Sequence, residues 1–132
     1  MSESIESNNN NVSAKTDKLD ATLNSAVPDL TYLREMAEGD EVFFKEMINH
    51  FLENAPKSLL LLRESASLKD YEKVRFIAHK LLPQLTFVGI LSAVDDVKKI
   101  ENENKLIDDL SVVIERVIIT INNGIEHLKK LV

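Results

Sequence analysis

From Pro28 onward the apolar residues recur at steps of three and four, the period of an α-helix with one buried face. Asp29 is a suitable N-cap for a short helix over about residues 30–38, which would bury Leu30, Leu33 and Ala37 and stop at Gly39. Asp40 then caps a long element on which Phe44, Ile48, Phe51, Ala55, Leu59 and Leu62 share one stripe through about residue 66, with a kink or restart expected at Pro56. Asp70 caps a third helix with a stripe of Val74, Ile77, Ala78, Leu81, Leu85 and Val88, ended by Gly89. A shorter helix over about 91–102 follows on Leu91, Val94 and Val97. A last one starts at Asp108 or Asp109 and turns Leu110, Val113, Val117, Ile121, Ile125 and Leu128 inward, with Lys129 and Lys130 at the negative end of its dipole.

Four helices with short connections and one apolar stripe each predict an all-α fold, an antiparallel up-down four-helix bundle with a short additional N-terminal helix covering one end. Residues 1–27 lack any aromatic residue and carry runs of Asn and Ser, so they are read as a flexible tail on a bundle spanning 28–132. The initiating Met1 ahead of such a tail favours a stand-alone protein.

Composition narrows the function classes. With no cysteine, there is no disulfide framework, thiolate metal site or thiol nucleophile. A net charge of −6 argues against a duplex-DNA binder, which must neutralise phosphates with a basic face. No apolar run is long enough to span a bilayer and no signal peptide is recognisable, which leaves a cytoplasmic protein with no membrane partner as the expectation.

One stretch stands out, Arg75-Phe-Ile-Ala-His79-Lys-Leu-Leu-Pro-Gln-Leu-Thr-Phe-Val-Gly89. On a helix His79 lies about 160° from Ile77 and Leu81, so the imidazole is displayed on the outer side of the buried stripe. One turn away lie Arg75, Phe76, Leu82 and Pro83, with Thr86 a further turn out. A polar centre inside a small apolar patch is the composition of a docking surface. Pro83 cannot donate to the carbonyl of His79, so the helix is expected to bend or loosen there. Asp95 and Asp96 are no metal pair, since adjacent helical residues point about 100° apart, and no metal site is expected. His50 and His127 read as ordinary helix residues.

The chain resembles the histidine-containing phosphotransfer domain family. The likeness runs over roughly residues 29–128: Asp29-Leu-x-x-Leu33, Gly39-Asp40, Phe51-Leu-x-x-Ala55-Pro56, Ala78-His79, Leu81 and Gly89. It departs from the family in two places, with Leu82 where a lysine usually neutralises the phosphoryl group and Pro83 where a glycine usually admits the partner. The resemblance implies that His79 is a phosphoacceptor, that Glu101 from the following helix orients its imidazole, and that Lys80 or Arg75 supplies the cation missing at Leu82. It implies docking through Phe76, Leu82, Pro83 and Thr86. The partners would be response-regulator receiver domains, and a hybrid sensor histidine kinase, with Mg²⁺ residing in the receiver and no cofactor of the chain's own. The expected activity is that of a monomeric phosphocarrier in a phosphorelay, not of a kinase, since no nucleotide-binding motif is present. The alternatives are an adaptor that binds receivers without being phosphorylated, and a helical homodimer scaffold.

Overall fold

The computed structural model describes residues 27–103 and 110–132, and its described part is all helical, with no strand. The tail through residue 26 and the capping candidates Asp108 and Asp109 lie outside the described residues. Helix α1 spans Thr31–Ala37 and α2 spans Glu41–Ser67. Helix α3 spans Tyr71–Val88 and leads through a 3-10 turn, Leu91–Ala93, into α4, Val94–Glu103. Helix α5 spans Leu110–Lys129.

The boundaries follow from local hydrogen-bonding chemistry. The carboxylates of Asp40 and Asp70 accept from the N–H groups of Phe43 at 3.0 Å and Lys73 at 3.2 Å, satisfying donors that the first helical turn leaves free. Asp29 departs from its expected role. Leu30 occupies the cap position of α1, and Asp29 accepts the Thr31 N–H from one residue further out, at 3.1 Å. Hydrogen bonding from the Thr31 side chain, and then from its N–H, holds the Asp29 carboxyl below its ordinary value.

The restart that Pro56 allowed does not occur. Helix α2 runs unbroken through Pro56, with neither a restart nor an interruption, and α3 likewise continues through Pro83. Both prolines are on exposed helix surface, where water can satisfy the carbonyl one turn back that has lost its donor. The apolar stripes on either side keep the helix registered across the break in the ladder. Ile48, Phe51, Ala55, Leu59 and Leu62 are all buried in α2, as are Ala78, Leu81 and Leu85 in α3.

Gly89 closes α3 in the left-handed region at φ +76°, where its N–H and that of Ile90 return to the end of the helix. It has a second role that no helix-stop rule reveals. The Gly89 carbonyl accepts from the Asp29 N–H at 2.9 Å, and a Cβ on Gly89 would come 1.8 Å from the Asp29 carbonyl oxygen. Its missing side chain is the space into which the segment before α1 packs, reinforced by an edge-on contact of Tyr32 with Phe87.

The long helices touch in sequence: α2 packs on α3, α3 on α4 and α4 on α5, while α5 returns to α2. Helix α1 lies against α2 and α3. One hydrophobic cluster runs through all of them, drawing on Phe44, Leu62, Leu81, Ile100, Ile121 and Leu128. No helix among the described residues is long and apolar enough to cross a membrane.

Candidate functional site

The contact between α3 and α4 brings together His79 and Glu101, residues 22 apart in sequence. The Nδ1 atom of His79 is hydrogen-bonded to a carboxylate oxygen of Glu101. The two partners sit in different surroundings: the imidazole is 72% exposed and the carboxylate 22%. Val97 and Ile100, fully buried on the inner side of α4, fix that helix against the core and thereby the direction from which Glu101 approaches.

Elementary hydrogen-bond chemistry then assigns the tautomer. An ionised carboxylate only accepts, so Nδ1 carries the proton and the ring lone pair resides on Nε2. The site is an imidazole held by one nitrogen and displayed to solvent, and in the neutral form of that ring the other nitrogen carries the lone pair that nucleophilic chemistry requires.

The remaining candidates are distributed around α3 unequally. Phe76 is 60% exposed and Pro83 and Thr86 are exposed as well. The Thr86 hydroxyl donates back to the Leu82 carbonyl at 3.1 Å. Leu82 is only half-exposed and packs against the core cluster, so it contributes to the bundle as well as to the surface patch. Lys80 turns toward the α2 side of the helix, where its ammonium lies 5.3 Å from the centre of the Phe76 ring and lines a groove with α2 residues. His79 and Lys80 therefore serve opposite flanks of α3, one toward α4 and one toward α2. Arg75 is half-buried.

On the other side of α4, Asp96 is committed to an ion pair. Its two carboxylate oxygens accept from Arg116 Nε at 2.8 Å and Nη2 at 2.9 Å, a two-pronged bond from α4 to α5. An equivalent bond joins Arg63 of α2 to Glu115 of α5, at 2.8 and 2.7 Å. No group of three or more potential metal-ligating side chains occurs among the described residues.

Sequence reasoning also missed the groove between α2 and α3. The signal for its α2 wall was present: His50, Asn54, Lys57, Ser58 and Leu61 share one helical stripe outside the core stripe. Comparison of the chain with protein-family models, with curated proteins and with solved structures gives no match in any of the three.

Proposed function

We propose that the chain is a histidine phosphotransfer intermediate in a phosphorelay, with α2 to α5 forming an antiparallel up-down four-helix bundle and His79 as the phosphoacceptor. The observation that carries this reading is the pairing of an exposed imidazole with a mostly buried carboxylate on the neighbouring helix. A surface histidine with no chemical task does not require an acceptor fixed by a core-anchored helix, whereas a nucleophile that must present one nitrogen to an incoming phosphorus does. The ring of helix contacts, α2 to α3 to α4 to α5 and back, supports the bundle.

In this reading the receiver partner brings an aspartyl phosphate and its Mg²⁺. The His79 Nε2 lone pair forms the N–P bond as the bond from phosphorus to the aspartate oxygen breaks, and the aspartate leaves as a carboxylate. Nδ1 keeps its proton throughout, and Glu101 balances the positive charge that the imidazole acquires. Phe76, Leu82, Pro83 and Thr86 form the contact surface around the nucleophile. The protein works as a cytoplasmic phosphocarrier with no cofactor of its own, because attacking nucleophile and orienting acid are all that this half of the reaction requires.

The adaptor reading has one observation in its favour: Leu82 packs into the cluster where the resembled family places a lysine, and Lys80 is directed to the other flank. Incubation with a receiver domain charged by acetyl phosphate and Mg²⁺ separates the two readings. Acid-labile, base-stable phosphate on the parent chain and none on His79→Gln establishes transfer. Receiver binding without labelling of the parent chain identifies an adaptor.

A further inference from the structure

The groove between α2 and α3 has a composition at odds with the chain that forms it. The protein carries a net charge of −6, yet among the described residues lining this groove of about 340 Å³ there is no carboxylate. Its charged members are Lys57 and Lys80, with the His50 imidazole at one end. Neither lysine is ion-paired among the described residues. The groove's apolar lining is the exposed Leu61 and Phe76 and the buried Ile77.

The amides that border the groove each hold one of their two N–H donors against their own helix. Asn54 Nδ2 donates to the His50 carbonyl at 2.8 Å, and Gln84 Nε2 donates to the Lys80 carbonyl at 3.2 Å. These bonds fix the two amides against their own helices and leave the ammonium groups as the free cationic donors. One lysine from each helix and an apolar lining that includes an aromatic ring suit an anion attached to an apolar body. The volume lies in the range of small-molecule pockets.

We propose that the α2–α3 groove binds a small organic oxyanion, its charged end between Lys57 and Lys80 and its apolar body on Leu61, Phe76 and Ile77. The groove shares Phe76 with the proposed receiver contact surface but does not include His79, whose imidazole is engaged on the α4 flank of the same helix. It stands independently of the phosphotransfer reading.

Phenyl phosphate is a suitable probe, titrated into the ¹⁵N-labelled full chain and followed by amide shifts. The expected result is saturable shifts centred on residues 54–61 and 76–84, with weaker binding of inorganic phosphate, which lacks the ring, and of phenol, which lacks the charge. Lys57→Gln and Lys80→Gln should each weaken binding about two- to fivefold, the effect of one exposed ion pair, and His79→Gln should bind as the parent does. Lys57→Gln should also accept phosphate from a charged receiver like the parent, so that failure of the groove and failure of His79 chemistry give different results. Absence of saturable shifts overturns the proposal. So does binding that ignores both lysines, or that disappears with His79→Gln, which would assign the anion to the imidazole.

Discussion

Helix α4 carries two carboxylates of similar exposure, 18% for Asp96 and 22% for Glu101, and they do different work because of what they face. Asp96 meets Arg116, a permanent cation whose planar fork matches both carboxylate oxygens. Glu101 meets His79, a group with one nitrogen to spare. The first pair satisfies all that its carboxylate can offer and leaves nothing reactive exposed. In the phosphotransfer reading proposed above, the second uses the carboxylate to restrict a nucleophile while leaving the reactive atom in solvent. Burial of an acid alone does not distinguish a staple from a site; the residual chemistry of the partner does.

Breaking each pair should therefore move different observables. The larger effect falls on Glu101. Glu101→Ala leaves the imidazole free to rotate and to exchange tautomers, and single-turnover transfer from a charged receiver should slow about 10- to 100-fold, the range for losing an orienting partner of a functional imidazole. Glu101→Gln, whose amide oxygen still accepts from Nδ1, should recover part of the rate while lacking the charge that balances the phosphorylated ring. A transfer rate unchanged in Glu101→Ala would reduce the contact to an ordinary surface hydrogen bond.

Asp96→Ala provides the opposite signature. The α4–α5 connection weakens, and because Arg116 is about half exposed and hydrates readily once released, the loss is about 1 kcal/mol or less, seen as a fall of a few degrees in Tm. Transfer at a temperature where both proteins are folded should be unaltered. Loss of transfer in Asp96→Ala would mean that the Arg116 bond sets the position of α4, and with it that of Glu101.

Much of this contrast was legible in sequence and some was not, for identifiable reasons. Periodicity located the helices because each has one dry face, and Asp40, Asp70 and Gly89 mark their ends by local chemistry that needs no tertiary information. His79 was recognisable as displayed because it falls off the buried stripe of its own helix. Glu101 could be named only through resemblance to a family, since the distance between two helices is not encoded in either one. The partners of Asp96 and Glu115 were invisible for the same reason, and so was the fit of the Gly89 turn against Asp29. A restart at Pro56 is not seen because a rule about an isolated helix ignores the apolar residues that hold both sides of the break in register.

The Arg63–Glu115 pair extends the comparison to a pair in which both side chains are about half exposed, and the smallest effect is expected there. Hydrogen bonding to Arg63 holds the Glu115 carboxyl below its ordinary value, so the folded state favours the ionised form more than the unfolded chain does. Such a group contributes its stability above the ordinary glutamate pKa and loses it as the pH falls through the depressed folded value. Asp29, lowered by its bond from Thr31, acts in the same direction. Stability should therefore decline slightly on acidification through the carboxylate range. Glu115→Gln keeps an acceptor for Arg63 but cannot be protonated there, so its Tm measured from neutral to acidic pH should fall less steeply than that of the parent, with Asp29 left to supply part of the slope. Added salt should shrink the difference, as screening demands of an exposed pair. Parallel pH profiles for the two proteins would show that the pair is formed without contributing to stability, whereas a difference that persists in high salt would place Glu115 in a less solvated setting than its surface position allows.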